Sequence, residues 1–459
     1  SEAFDTPHVT SGLIGFDPST KAATAASGVT VSAAGDVTLS AVNSTVPDAE
    51  VTGVTIGLIF SKGDNKATAE TTRTEDSTTR DKTTRAYLGS STDVGATNLT
   101  VSAVSSNDAM VDVTAGAGGI ISIPAAKGLT TSDATTEVLI GNGSSSDQLD
   151  VTNQVKFEAK NTSQFNGDVN SINASLVGFS GANSEHTVDS DTAVILGTDL
   201  NIETANFVVE STNVVRKPDP GESSPNVVSG SGGLIDAPAS ESTTTIDHTA
   251  TVVLGDGADI DVTGDPRSPG EFRVTVFSDI EAADRVKMES GGLVAAASAT
   301  TSINVSNNDG FITVGENVDI DSVADIQMGA YSEIDLNTYS TVKTWGLGGA
   351  ARSSSTSSAT SHHKVHIEAN ANLRSDNEIE LTAGRKGGDP LDASTYNTID
   401  AYSEYANRAG IPVPADPVAD TSSTQTNEVV LDAGSITRSV GDTHLEAVPG
   451  TELLSGQGY

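Results

Sequence analysis

A degenerate repeat of nearly sixty residues runs through this 459-residue chain about eight times. Its clearest marker is a triplet of apolar or small residues at alternate positions. From Leu39 to Leu445 there are 406 residues over seven intervals, so the mean period is 58. Such a repeat constrains the fold strongly, because each unit buries its apolar face against its neighbours. The triplets are Val37, Leu39, Ala41; Leu99, Val101, Ala103; Val155, Phe157, Ala159; Phe207, Val209, Ser211; Val274, Val276, Ser278; Ile326, Met328, Ala330; Ile379, Leu381, Ala383; and Thr443, Leu445, Ala447.

Two further markers keep the same phase. A step from glycine to apolar residues begins at Ser11-Gly12-Leu13-Ile14 and recurs at Gly57, Gly118, Leu176, Gly232, Gly291, Gly346 and Gly410. A strand ending in glycine or alanine recurs at Leu88-Gly89, Ile140-Gly141, Leu196-Gly197, Leu254-Gly255, Val314-Gly315, Ile367-Glu368-Ala369 and Leu431-Asp432-Ala433. Together the markers predict one continuous array with units at about 1–52, 53–112, 113–170, 171–228, 229–287, 288–343, 344–402 and 403–459.

Short alternating segments predict an all-β fold. Segments such as Glu271–Phe277 place apolar residues on one side, and clusters of Gly, Asn, Asp and Pro separate them. We predict a parallel β-helix, or β-solenoid. A coil of about twenty residues gives roughly three coils in each repeat and a rod on the order of 110 Å. A β-propeller and a row of β-sandwich domains are the alternatives. Variable repeat length without an aromatic signature disfavours the first, and the short period disfavours the second.

The composition suits a layered interior. Aromatic residues make up 4% of the chain and hydrophobic residues 36%, which is lean for a globular enzyme. Disorder is the alternative, but the persistent period-two alternation argues against it. The absence of cysteine excludes disulfides and thiolate metal sites. No stretch approaches the 18 apolar residues of a transmembrane helix, so no membrane span is predicted.

The net charge of −38 argues against nucleic acid as a partner, because affinity for phosphate backbones comes from clustered cations. The densest basic stretch holds Arg73, Arg80, Lys82 and Arg85, and nearby acids neutralise it. An acidic surface favours solubility, resistance to clumping and loose binding of divalent cations.

Proline-rich and glycine-rich insertions vary the repeat length. Because proline cannot donate to a β-ladder, these segments leave the sheets or lie at their edges. Insertions on a rigid scaffold are where recognition residues collect, so we predict that these segments form the functional surface. The insertions are Arg216–Gly221, Gly264–Gly270, Arg385–Pro390 and Ile411–Pro417.

Two acidic groups one repeat apart are candidate calcium ligands, since calcium prefers several carboxylate oxygens. With three coils in each repeat they would lie roughly 14 Å apart and could not share an ion. The nonapeptide of calcium-binding β-rolls is also missing. No cofactor is therefore predicted to be required, and calcium is retained as a candidate ligand. The groups are Asp256, Asp259, Asp261 and Glu316, Asp319, Asp321.

No residue pattern predicts catalysis. His362, His363 and His366 form the densest histidine cluster, without a carboxylate motif beside them, and are expected on an exposed loop or strand face. Trp345 is expected to pack over a turn. The sequence has no nucleophile elbow, phosphate loop or dinucleotide fingerprint. We predict that the chain is not an enzyme and assign no catalytic or cofactor-binding residue.

The recurring stretch resembles large bacterial exoproteins of the filamentous haemagglutinin and adhesin type. The resemblance is carried by Gly232–Ile235, the alternating run that follows, Val253–Ala258 and Phe272–Val276, and it extends over essentially the whole chain. It implies a secreted right-handed β-helix that serves adhesion, aggregation or matrix building. The resemblance carries over no catalytic residues. The start at Ser1 favours a processed or excised segment, and the family's N-terminal secretion region is missing from this sequence.

The functional prediction is an extracellular or cell-surface rod, bacterial in origin, that is structural or adhesive. Its partners are further copies joined end to end, or other surface proteins and glycans, because open ends of a β-solenoid stack readily. A β-helix polysaccharide lyase or hydrolase is the first alternative. A receptor-binding spike of a phage or virus, which would be trimeric, is the second.

Overall fold

A computed structural model describes residues 2–4, 10–14, 29–70, 74–75, 78–79, 83–144, 149–221, 224–264, 270–384, 396–412, 417–448 and 451–458. Within these ranges the regular secondary structure is entirely β, and no helix is long and apolar enough to cross a membrane. Twenty-four strands form one sheet with parallel pairing throughout, and two short strands form an antiparallel pair. The all-β prediction is confirmed, together with its parallel pairing.

The strands are β1 (Glu2–Phe4), β2 (Thr10–Ile14), β3 (Thr30–Ser32), β4 (Asp36–Thr45), β5 (Asp48–Ile56), β6 (Phe60–Glu70), β7 (Thr74–Glu75), β8 (Thr78–Thr79), β9 (Thr83–Leu88), β10 (Asp93–Ile140), β11 (Leu149–Gly178), β12 (Gly181–Leu196), β13 (Asn201–Lys217), β14 (Val227–Asp236), β15 (Ala239–Leu254), β16 (Asp259–Val262), β17 (Glu271–Val314), β18 (Asp319–Ser322), β19 (Ile326–Ile367), β20 (Asn372–Ser375), β21 (Ile379–Ala383), β22 (Tyr396–Pro412), β23 (Val418–Leu431), β24 (Ile436–Ser439), β25 (Thr443–Ala447) and β26 (Thr451–Gly458).

Each strand pairs with its counterpart one whole repeat further along the chain. Leu99 pairs with Val155, 56 positions later, and Ala239 pairs with Ser298, 59 positions later. One repeat therefore makes one turn, and the prediction of roughly three coils in each repeat is wrong. The period gives only the number of residues between equivalent positions in the sequence. In the structure, strands at equivalent positions are hydrogen-bonded to each other directly, so no other coil lies between them. Eight stacked triplets at about 4.8 Å per strand span about 34 Å, instead of 110 Å.

The register corrects two of the predicted markers. In the fifth repeat Phe207 pairs with Phe272, so the true counterpart of the triplet is Phe272, Val274, Val276, two residues earlier than predicted. At the N-terminus Ile14 pairs with Leu88, so Ser11–Ile14 belongs to the strand-end marker and not to the glycine step. The first error arises because alternate apolar residues look alike after a shift of two positions. The second arises because glycine and apolar residues occur together at both markers.

Each turn has two long sides that face each other. Hydrogen bonds between side chains cross the interior from Thr338 to Ser357 (2.9 Å) and from Ser340 to Ser353 (2.6 Å). These pairs are centred on residues 346 to 348, so the chain reverses at the glycine step. At the opposite end Ser211 donates to Thr192 across 3.0 Å, and a short strand such as β16 or β18 closes the turn there.

Two apolar clusters fill the interior, one near each end of the cross-section. The first contains the triplets and strand ends, with Phe157, Phe207 and Phe272 forming an aromatic stack from one turn to the next. The second lies toward the glycine step and includes Ile280 and Met288. Small β-branched residues and alanines supply most of both clusters, which explains how 4% aromatic residues suffice.

A tight turn follows each strand end. The glycine there is needed for space, because a Cβ on Gly255 would lie 2.4 Å from the carbonyl oxygen of Gly197 in the preceding turn. Two positions later the backbone enters the left-handed region, which Gly, Asn and Asp tolerate best. Residues in this conformation at the equivalent position are Ser91, Asp199, Gly257, Asn317, Asn370 and Gly434.

The aromatic stack yields a stability prediction. Phe207 is fully buried between two other phenylalanines, so Phe207→Ala removes contacts in three turns at once. We expect the free energy of unfolding to fall by about 3–5 kcal/mol. Phe179→Ala, at a position that is 41% exposed, is the matched control and changes it little. Denaturant titration followed by circular dichroism measures both, and equal losses would contradict the assignment.

Candidate functional surfaces

The C-terminal turn leaves its strands open on one side. Strands β23, β24, β25 and β26 each pair with a strand of the preceding turn, and no described strand pairs beyond them. Leu445 lies in register with Leu381 and Met328, which are fully buried, yet it is 46% exposed itself. Among the described residues, the strands of this turn thus have a neighbouring strand on one side, and Leu445 at an interior position is partly exposed.

The predicted calcium ligands lie closer together than the sequence indicated. Asp259 pairs directly with Asp319, and Asp261 pairs directly with Asp321. Because one repeat is one turn, these carboxylates are on adjacent strands about 4.8 Å apart, and the predicted separation of 14 Å is wrong. Burial raises the pKa of Asp259, and its acidic neighbours, Asp261 first, raise it further. Burial and neighbouring acids likewise raise the pKa of Asp261.

The next turn relieves this crowding. Asn372 donates to Asp319 across 2.8 Å, and Arg374 donates to Asp321 across 3.1 Å. At the turn nearby, the backbone N–H of Glu316 donates to Asp256. In the described part of the chain no three His, Cys, Asp or Glu side chains are arranged to hold a metal ion. Calcium binding at these positions stays a prediction.

A groove of about 380 Å³ lies beside the acidic strands. Its charged lining consists of Asp261, Asp321, Arg374 and Asp376. Carboxylates and a guanidinium around an open groove are groups that can contact a polar polymer such as a polysaccharide.

The histidine cluster is divided between two faces of one strand. His363 is buried and lies 3.0 Å from the side-chain oxygen of Asn427. His362 packs edge-on against Phe311 on the outer face, and His366 lies 3.0 Å from Asp432 on the same face. The cluster thus lies on a strand, but the expectation of an exposed face is wrong for His363, which points into the interior. The three imidazoles do not converge.

A band of buried polar side chains separates the two apolar clusters. Asn161 donates to Asn213 across 3.0 Å, and Ser190 donates to the same Asn213 oxygen across 2.6 Å. Further along, the side chains of His248 and Asn308 are fully buried and form no hydrogen bond to another side chain of the described residues. Sequence reasoning missed this band. The available signal was that these polar residues occupy the inward positions of the period-two alternation.

Burial governs the charge of the interior histidines. It lowers the pKa of His248 to about 3, with a smaller contribution from His363, and it lowers the pKa of His363 to about 4. The pKa of His186 is also lowered well below its ordinary value by burial and by nearby Lys217. Lys217 itself is fully buried and forms an ion pair with Asp284.

The insertions differ in how much of them is described. Arg216–Gly221 is held to the next turn, because Arg216 donates to Asp279, and Arg285 donates to Asp219 through Nε and Nη2. Of Gly264–Gly270 only the two end residues are described, and of Ile411–Pro417 only residues 411, 412 and 417. Arg385–Pro390 lies outside the described residues, as do Arg73, Arg80 and Lys82 of the basic stretch.

The glycine step is exposed, although a recurring apolar marker suggests a packing role. Leu234 is 48% exposed and Leu293 is 46% exposed, and both lie where the chain reverses. Trp345, which was expected to pack over a turn, lies beside this step and is 38% exposed.

Comparisons with known proteins found no matching family model, no matching curated protein and no matching solved structure.

Acid should destabilise the fold through the buried histidines. Between about pH 6.5 and pH 3 the unfolded chain binds a proton that folded His248 rejects, so the free energy of unfolding falls as pH falls. The slope is up to about 1.4 kcal/mol per pH unit for this group. His248→Asn, which copies Asn308 of the next turn, removes that slope. The measurement is the difference in unfolding free energy between variant and parent at several pH values. A constant difference would refute the prediction, and His362→Asn on the outer face is the control.

The paired aspartates should repel one another. Like charges directly opposite on neighbouring strands destabilise a sheet, so Asp261→Asn should raise the free energy of unfolding by about 0.2–1 kcal/mol at low salt. The gain should shrink at high salt because the repulsion is screened. Glu241→Gln is the control, since its register partners are Asn183 and Thr300.

The same pair of proteins tests the calcium prediction. If calcium bridges the carboxylates, added calcium raises the thermal midpoint of the parent and leaves that of Asp261→Asn unchanged. Equal response of both proteins to calcium would refute binding at this site.

Proposed function

We propose that this chain is a β-solenoid that serves as an extracellular structural or adhesive rod and joins further copies end to end. The proposal includes a right-handed solenoid of the filamentous haemagglutinin and adhesin type, bacterial in origin. One turn corresponds to one repeat of about 58 residues. The rod is not an enzyme, and its surface partners are other proteins or glycans.

The observation that carries the proposal is the open C-terminal turn. Four strands there lack a described neighbour on one side, and an unpaired parallel edge binds other strands readily. Leu445 lies at the position of the buried triplet, so a further turn placed on this edge would cover it. The edge supplies both the backbone hydrogen-bonding groups and the apolar surface that another turn needs.

The charge supports an assembly that depends on conditions. With a net charge of −38, two copies repel each other at low ionic strength. Salt screens this repulsion over about 10 Å or less at 0.1 M and above, so stacking should strengthen with salt.

A single inward charge should block the stack. Leu445→Lys places an ammonium at an interior position of the open edge, which is a way in which natural sheets protect their edges. We expect the parent to form linear fibres by negative-stain electron microscopy as salt and protein concentration rise, and Leu445→Lys to remain as single particles. Ile195→Lys, on the side of the stack, is the matched control and should keep the fibres. Single particles of the parent under all these conditions would refute end-to-end assembly.

The groove beside the acidic strands keeps the polysaccharide-cleaving alternative testable. Asp261 and Arg374 line it, and such groups can serve acid and base chemistry on sugars. An assay of acidic polysaccharides for new reducing or unsaturated ends, with Asp261→Asn as the control, decides this alternative. The spike alternative predicts a trimer, which sedimentation would reveal.

A further inference from the structure

We propose that the glycine steps form a self-association surface, through which a second copy of this chain packs side by side with the first. The surface is called the apolar ridge here. It is formed by Ile59, Phe60, Ile120, Ile121, Leu176, Val177, Leu234, Ile235, Leu293, Val294, Leu347 and Ile411. This contact is lateral, so it goes beyond end-to-end stacking and does not depend on it.

The register aligns the ridge residues in a straight column. Phe60, Ile121, Val177, Ile235, Val294, Gly348 and Ile411 pair successively from each turn to the next. The residue before each of the first five is also apolar, and Leu347 precedes Gly348. Six intervals of about 4.8 Å make a ridge about 29 Å long.

The ridge is exposed along its whole length. Leu176 is 56% exposed and Leu347 is 60% exposed, while Ile411 is 71% exposed. Such residues do not serve the core of their own turn. Large aliphatic side chains kept in water at the same place in successive turns are typical of an interaction surface.

Glycines allow the backbones to stack closely at this edge. A Cβ on Gly233 would lie 2.1 Å from the carbonyl oxygen of Ser175, and one on Gly346 would lie 1.9 Å from that of Gly292. A larger residue at Gly233 or Gly346 would have to displace the neighbouring turn, whereas Ser175 and Ala409 fill the equivalent position in other turns. The parallel register keeps the ridge regular, and a regular row of side chains can interdigitate with another such row.

The absence of charge around the ridge argues for a second copy as the occupant. Residues 51–61, 113–126, 169–184, 290–308 and 344–351 contain no charged side chain, in a chain with 86 Asp, Glu, Lys and Arg residues. In residues 227–240 the single acid, Asp236, is buried. Two chains of charge −38 repel each other least across this face. A charged partner would find charged groups only at the margins of the ridge, such as Lys62 and Arg408.

The size and shape of the ridge fit a dimer. Its side chains leave on the order of 900 Å² in water, close to the roughly 800 Å² per partner of a standard interface. A two-fold axis across the middle of the ridge, at the level of Leu234 and Ile235, places the same straight row opposite itself in antiparallel direction. The two rows then bury each other's aliphatic side chains.

The absence of cysteine allows a direct test. Proteins with the single substitutions Leu176→Cys, Leu234→Cys and Leu293→Cys are treated with a short bis-maleimide, which joins two nearby thiols by forming a thioether bond with each. We expect a covalent dimer from at least one of them, and none from Ile195→Cys on the outward face of β12. Cross-linking at Ile195 equal to that on the ridge, or none on the ridge, overturns the proposal.

Sedimentation equilibrium supplies the second readout. The parent should dimerise, and the double variant Leu234→Asp/Leu293→Asp should weaken dimerisation at least tenfold. Leu445→Lys, which blocks the open end, should leave this dimer intact, so lateral and axial contacts are separated. Circular dichroism checks that each variant keeps its β-sheet signal. A parent that stays monomeric up to about 100 μM overturns the proposal, as does a monomer that floats with phosphatidylcholine vesicles.

Discussion

Parallel hydrogen bonding between each residue and its counterpart one repeat later is the interaction on which the rest of the structure depends. Because the residues pair one by one, each turn follows the path of its neighbour, and each side chain stacks on the side chains at the equivalent positions of the neighbouring turns. The stack of Phe157, Phe207 and Phe272 follows directly. The left-handed residue that follows most of the strand ends has the same cause, because a turn with another path would lose its hydrogen bonds to the neighbouring turn.

The same constraint explains a polar interior. A residue placed at an inward position is repeated at that level of the stack, so polar side chains collect in bands rather than at isolated points. Asn213 then accepts from Asn161 of one turn and from Ser190 across the interior. Lys217 and Asp284 satisfy each other with the hydroxyl groups of Ser242 and Thr244. At His248 and Asn308 the buried polar side chains no longer form hydrogen bonds with one another. The low pKa of buried His248 makes the stability of the fold sensitive to acid.

The strand content and the phase of the repeat follow from the sequence, because period-two alternation and the recurring glycines are local signals. The number of turns in each repeat does not follow, since a period of 58 fits one long turn as well as three short ones. That single error also separated Asp259 from Asp319, which are neighbours. The exposure of Leu234 could not be predicted from the sequence for a different reason. Alternation predicts two faces, but it does not reveal which apolar residues lie at the point where the chain reverses.

When similar residues stack on one another in successive turns, the consequence for charged groups is opposite to the consequence for apolar groups. A column of carboxylates repels itself at each step, and the chain interrupts the column of Asp259 and Asp319 with Asn372. A column of aliphatic side chains reinforces itself instead, because each added turn extends one continuous surface. End-to-end association brings the charged columns of two copies together as well as their cores, so its affinity should depend on salt concentration. Contact through the charge-free ridge should depend on salt much less. The register that builds the fold thus separates two directions of association by their response to ionic strength.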